Sequence, residues 1–211
     1  LNELQGLELI RLSSVEPQLF NDKLINTLPL ISKLCPHYHI PLQCGADTGL
    51  KRMRRHYITT TINQLTIKIW EQISYPAIGM DVITGFPGET EEEHQQTCNF
   101  LRSLPLAYLH IFSFSKRKGT PAFDLPNQIP KTIKNRRANE LSQISGELTA
   151  AYTKSLVDNN IFLRGIVEKN VNGCCEFLSD HYVRVCFSGN YLPGDFVQIP
   201  SQDVQIRMKD D

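Results

Sequence analysis

The chain has 211 residues, 41% of them hydrophobic, with 22 Lys+Arg against 22 Asp+Glu; that is enough apolar material for a globular core. The zero charge balance offers no bulk attraction for nucleic acid, so any RNA contact has to come from local patches. No run is long enough to span a membrane and no basic-then-apolar leader is present, which sets the expectation of a cytoplasmic protein with no membrane role. The chain opens at Leu1 on the approach to an apolar segment, which reads as a piece cut from a longer protein. Leu7 to Ser13 reads as a short strand ending in Arg11-Leu-Ser-Ser-Val-Glu-Pro17, so polar side chains gather where it stops. Asn21-Asp22 caps a helix over Lys23 to Ser32, with Leu24, Ile25, Leu28 and Ile31 at helical spacing. The next strand, His37 to Gln43, ends in a small-residue loop at Cys44, Gly45, Ala46 and Asp47. A helix carrying Leu50 to Arg55 follows, and a further one runs from Thr59 to about Ser74 with Ile62, Leu65, Ile69 and Ile73 on one face.

The most informative stretch is Tyr75 to Glu93. An apolar strand at Ala77 to Ile83, interrupted by Asp81, runs into Gly85, Phe86, Pro87, Gly88 and Glu89 and then into an acid-rich helix start. Glycines in such a turn let the backbone approach a ligand, and the helix end favours negative charge, although an ordinary strand-to-helix turn has the same signature. A helix from about Glu91 to Ser103 and a strand from Tyr108 to Ser115 follow, the latter entering Lys116-Arg-Lys-Gly-Thr-Pro-Ala122. Four strands alternating with helices give the rhythm of a parallel sheet or TIM-like barrel, in which ligands sit at the carboxyl ends of the strands. All four ends here are polar or glycine-rich.

After a proline- and asparagine-containing linker (125–130), a long helix runs from about Thr132 to Asp158. Short alternating segments follow at Ile161 to Lys169, Cys174 to Phe177, His181 to Phe187 and Phe196 to Met208, separated by turns such as Asn172-Gly173 and Pro193-Gly194-Asp195. This reads as a small antiparallel β-barrel of OB-like size. The chain therefore divides at 158/159. The cysteines, Cys35, Cys44, Cys98, Cys174, Cys175 and Cys186, form no CxxC, CxxxCxxC or Cys/His set with ligand spacing. No metal site is expected, and reduced, mostly buried thiols are.

The motifs Arg11-Leu-Ser-Ser-Val-Glu-Pro17, His39-Ile-Pro-Leu-Gln-Cys-Gly-Ala-Asp47, Leu50-Lys-Arg-Met-Arg-Arg55, Asp81-Val-Ile-Thr-Gly-Phe-Pro-Gly-Glu-Thr90 and Phe114-Ser-Lys-Arg-Lys-Gly-Thr-Pro-Ala122 resemble, in order, those of the radical S-adenosylmethionine methylthiotransferases. The tail resembles their RNA-binding TRAM domain. The first motif is most similar to the branch that modifies N6-threonylcarbamoyladenosine in tRNA; other branches act on isopentenyladenosine in tRNA or on a ribosomal protein. The resemblance implies an α/β fold in which residues 1–158 are the C-terminal portion of a radical-SAM (β/α) TIM-like barrel and 159–211 the TRAM barrel. It implies S-adenosylmethionine and two [4Fe-4S] clusters in the complete enzyme, with cluster cysteines that this chain lacks, so the segment alone is expected to be inactive. In the complete enzyme the cofactor would yield a 5′-deoxyadenosyl radical that attacks C2 of the adenine, and the second cluster would deliver the methylated sulfur.

Cofactor binding would then fall to Ser13, Ser14, Glu16, Gln43, Cys44, Gly45, Asp81, Gly85, Phe86, Gly88 and Glu89. No catalytic residue is assigned. The family has serine where Cys44 stands and commonly where Ala46 stands. Arg52, Arg54, Arg55 and Arg117 are candidates for tRNA phosphates or for solvated faces. The tail's cations are few: Arg164, Lys169, Arg184, Arg207 and Lys209. Asp81 could bond within the sheet, Glu89 could be a helix-start acid, and His39 and His110, on apolar strands, read as core histidines. A partial barrel would leave an open sheet edge and so favour self-association. A non-catalytic RNA-binding module is the alternative from another class.

Overall fold

The computed structural model describes residues 1–207; the end of the last expected segment at Met208, and Lys209, lie outside the described residues. After a 3-10 turn at Pro17–Leu19 comes helix α1 (Asp22–Thr27), whose N-cap Asn21 accepts a hydrogen bond from the Leu24 amide. Pro29 ends the expected longer helix early, as a 3-10 turn at Leu28–Leu30. Strand β1 (His37–Gln43), α2 (Asp47–Arg52), α3 (Thr59–Gln72), β2 (Ala77–Thr84), α4 (Glu91–Ser103) and β3 (Tyr108–Ser113) then alternate, and α5 (Lys131–Asp158) closes the unit. The strands pair in parallel in the order β1-β2-β3.

The expected strand at Leu7 to Ser13 does not form a ladder. Its strand-type pairings are isolated parallel bridges, Ile10 with Leu34 and Ser14 with His39. Its amides at Ile10 and Val15 do donate to the carbonyls of Lys33 and His39, so it is an extended edge held at two points. The sheet thus has three ladder strands, not four.

One face of the sheet is apolar. Tyr38, Ile40, Leu42, Ile78, Met80, Val82 and Leu109 share a core with Ile62, Leu65 and Ile69 of α3, Cys98 and Leu101 of α4, and Leu141 and Ile144 of α5. The alternate positions of the strands face the other way, as a period of two requires, and they carry His37, His39, Asp81, Tyr108 and His110. Gly79 is placed between β1 and β3 so that the Tyr108 ring can cross it; a Cβ there would lie 2.0 Å from that ring.

The tail forms β4 (Phe162–Ile166), β5 (Lys169–Val171), β6 (Cys174–Leu178), β7 (Arg184–Ser188), β8 (Phe196–Pro200) and β9 (Gln205–Arg207). All pairings are antiparallel, in a β4-β8 pair and a β5-β6-β7-β9 sheet. Asn172 and Gly173, both at positive φ, make the β5–β6 hairpin turn. Their core residues, among them Leu163, Cys175, Phe177, Val185 and Val197, join Tyr152 and Leu156 of α5, Ala77 of β2 and Ala107 just before β3. Arg164 donates to the carbonyls of Ser32 and Leu34, and Arg11 to that of Ser179, so the tail is bonded to the first part of the chain from both sides. Cys174 and Cys186 are joined in a disulfide with Cα atoms 6.4 Å apart, which corrects the expectation that all six thiols are reduced. They lie diagonally on one face of the β6–β7 ladder, where Glu176 is opposite Cys186, and this brings their Cβ atoms within bridging reach. The other cysteines are free and buried.

Candidate functional site

The glycine turn after β2 is closed from three directions. Gly85 and Gly88 sit at φ +73° and +78°, a region that costs other residues strain. The Glu89 carboxylate reaches back to accept from the Gly85 amide at 2.6 Å. Arg137 of α5 then pairs with Glu89 at 2.6 Å, with side chains only 4% and 6% exposed. The Gly88 amide donates to Asn127 O in the linker. Lys134, one turn before Arg137, donates to Phe114 O, and its stem lies where a Cβ on Gly85 would have to go. Thr90 begins α4 with a reciprocal capping box to Glu93.

Around this turn the strand ends separate into two groups. Gln43, Asp81, Phe112, Phe114 and Arg117 line a common cleft of about 420 Å³. Phe86 stacks edge-on against Phe114 beside it. Cys44 and Gly45 turn the other way: the Gly45 amide donates to Thr97 Oγ1 of α4, and Cys44 Sγ lies 3.7 Å from the same hydroxyl. Burial raises the pKa of the Cys44 thiol, so it is a neutral packing group. Ser13 and Ser14 are exposed on the extended edge, and Glu16 meets Arg55 at 3.5 Å.

The cations also divide. Helix α2 stops at Arg52, shorter than expected, because Arg54 takes positive φ. Arg52 turns inward onto Glu93, which also accepts from Thr48. Burial alone would raise the Glu93 pKa, but the Arg52 and Thr48 hydrogen bonds outweigh it and the net shift is downward. Lys51, Arg54, Arg55 and His56 line a separate open cleft of about 510 Å³. Arg117 is exposed at the first cleft.

Two features escaped the sequence reading. Arg137 acts across 48 residues of chain, a distance no local pattern spans. The second is the polar strand face: His39 Nε2 is 2.8 Å from the Asp81 carboxylate and His110 Nδ1 3.5 Å from it, so both histidines face Asp81; His39 is buried with both ring nitrogens partnered, as a core histidine is, whereas His110 is partly exposed. Tyr108 Oη joins His37 Nε2 and His39 Nδ1 at 2.8 and 3.0 Å. Tyr182 of the tail stacks on His37 and Tyr108. The alternation His37, His39 and Tyr108, His110 in otherwise apolar strands was the legible signal.

No family model matches the chain. It is 34% identical to the threonylcarbamoyladenosine tRNA methylthiotransferase of Bacillus subtilis over 98% of its own length and 50% of that protein. It is 40% identical to the tRNA-2-methylthio-N(6)-dimethylallyladenosine synthase of an Arthrobacter species over 70% of its length and 28% of that protein. Among solved structures, the radical SAM enzyme coproporphyrinogen III oxidase of Escherichia coli matches with a TM-score of 0.56 at 14% identity, over 85% of this chain and 46% of that one; this is a likeness of fold. The chain spans half or less of the length of these curated relatives, and over most of its own length it is similar to tRNA methylthiotransferases.

Proposed function

We propose that the chain is part of an enzyme that methylthiolates N6-threonylcarbamoyladenosine in tRNA, with residues 1–158 as barrel and 159–211 as a TRAM-type RNA-binding barrel. The observation that carries this reading is the likeness over 98% of the chain to the Bacillus subtilis enzyme of that name, with the glycine turn of the family intact. The higher identity, over a shorter stretch, to a dimethylallyladenosine enzyme supports that base as the second substrate reading. The protein would act in the cytoplasm on tRNA. No helix among the described residues is long and apolar enough to cross a membrane.

S-adenosylmethionine fits the cleft in kind. The polar groups of Gln43 and Asp81 offer an adenosine donors and acceptors and Phe114 offers an aromatic surface, while Gly85 and Gly88, whose amides are held by Glu89 and Asn127, would shape the turn beside it. Ser13, Ser14 and Glu16 would complete it from the extended edge. Cys44 and Gly45 would shape the loop through Thr97 and not by side-chain contact. The cofactor when bound would supply radical chemistry; the chain's own part is to hold and orient it and to keep water from the turn. The two [4Fe-4S] clusters are a different case. Among the described residues no three thiols converge, since the donor groups that gather include at most two cysteines and those are Cys174 and Cys186, bonded to each other. The chain does not fit such a cluster, and no step is derived through one.

The test is nucleoside mass spectrometry of total tRNA from a strain lacking the parent gene. Loss of 2-methylthio-N6-threonylcarbamoyladenosine with accumulation of the unmethylthiolated base is expected. Loss of the 2-methylthio form of the dimethylallyl base would move the substrate to that branch. An unchanged nucleoside profile would leave a ribosomal-protein substrate or a non-catalytic module.

A further inference from the structure

The polar face of the sheet carries a set of donors that the cofactor reading does not use in full. His39, Asp81 and His110 come from three adjacent strands, β1, β2 and β3, and one donor atom from each lies within 4.8 Å of the others. We propose that these three residues form a mononuclear site for a divalent first-row transition ion, held by His39 Nε2, the Asp81 carboxylate and His110 Nδ1.

Four observations support the site. The donor type is two imidazoles and one carboxylate, which suits zinc and iron(II) and leaves positions open for water or substrate. The spacing is close to that of ligands sharing an ion: with bonds of about 2.1 Å, donors stand roughly 3.0–3.4 Å apart, and His39 to Asp81 at 2.8 Å and His110 to Asp81 at 3.5 Å fall just to either side. The outer contacts are also those of a ligating histidine, because Tyr108 Oη holds His39 Nδ1 and is itself held by His37, which leaves Nε2 turned toward Asp81. Finally there is an entry path: Asp81 lines the cleft with Gln43 and Arg117, and the His110 side chain is 37% exposed.

Two other donor groups are weaker candidates by the same criteria. His94, Cys98 and Glu140 lie at the α4–α5 contact, with His94 and Cys98 both 0% exposed, so no path or open position remains. Cys174 and Cys186 are already bonded to each other. The proposal does not rest on the methylthiotransferase reading, and its test reads metal binding alone.

The purified chain is titrated with Co²⁺, read by visible d–d absorption, and Zn²⁺ is used to displace it. One equivalent of Co²⁺ is expected, with affinity falling at least tenfold in Asp81→Asn and in His110→Asn and unchanged in His94→Phe. Far-ultraviolet circular dichroism and cooperative melting establish that each variant is folded. If Asp81→Asn does not fold, the half-exposed His110→Asn carries the test. A wild-type chain with no cobalt band, a His110→Asn variant that binds as wild type, or loss confined to His94→Phe would each overturn the assignment.

Discussion

Arg137 is the residue on which the glycine turn depends most. Its guanidinium contacts the Glu89 carboxylate and backbone carbonyl and also Glu91, with both members of the main pair almost wholly buried. Removing one member of a buried pair leaves the other charge desolvated and uncompensated, at a cost of about 3–5 kcal/mol, whereas an exposed pair is worth about 0–1 kcal/mol. Arg137→Met is therefore expected to lower stability by the larger amount in urea denaturation, and Arg137→Met with Glu89→Gln to recover part of it. A loss no larger than that of an exposed pair would mean that the turn holds itself. Acid should act on the carboxylates of the same helix start. Glu91 is brought down to about 2 from 4.5, first by the Arg136 hydrogen bond, and Glu93 is lowered as well. A carboxylate with a lowered folded pKa adds stability that is fully present above its unfolded value and lost as pH falls through the folded one. Melting temperature should therefore decline as pH drops from about 4.5 toward about 2, less steeply in Glu93→Gln; parallel curves would remove Glu93 from the acid response.

At the level of elements, β1 and α4 match the expected bounds and β2 differs by one residue, because apolar runs, a capping threonine and glycine breaks are local signals. The segment at Leu7 to Ser13 has the same apolar look but lacks a ladder, and sequence cannot say whether a strand's partners lie close enough to bond. The site was legible in the same proportion. The turn Gly85–Glu89 was read correctly as a turn, yet the inward rotation of Arg52 and the turning of Cys44 toward α4 depend on Glu93 and Thr97, which lie 41 and 53 residues away. Gly79 shows how much one strand position can fix. Its missing side chain admits the Tyr108 ring, which in turn orients His37 and His39. Gly79→Ala is expected to cost about 1–3 kcal/mol through overpacking, seen as a lower melting temperature, with partial rescue by Tyr108→Leu. A silent Gly79→Ala would show that the ring is free to move and that the polar face is less ordered than its hydrogen bonds indicate.

At the scale of the whole molecule, the surfaces not used in the core set two expectations. The cleft of Lys51, Arg54, Arg55 and His56 concentrates positive charge on a chain of zero net charge, which makes it the candidate patch for tRNA phosphate under the proposed function. In the full enzyme, Arg54→Ala with Arg55→Ala is expected to weaken tRNA binding and to reduce the slope of log affinity against log salt by roughly one to two units; an unchanged slope would assign these residues to a solvated face. The sheet itself supplies the second expectation. The order β1-β2-β3 leaves β3 an edge strand, with Phe112 51% exposed on it and Ser145 of α5 bonding to the Leu109 backbone there. On the opposite side the extended segment covers β1 at only two bridges. An edge so thinly covered is a template for a strand of another molecule, so the isolated chain should associate as its concentration rises. Sedimentation velocity across a wide concentration range measures this directly. A rising weight-average mass, reduced by placing a lysine at Phe112, would identify β3 as the pairing edge. A rise that this substitution leaves untouched would point to the Leu7–Ser14 side, and a constant monomer mass would mean that Ser145 and the two bridges are protection enough.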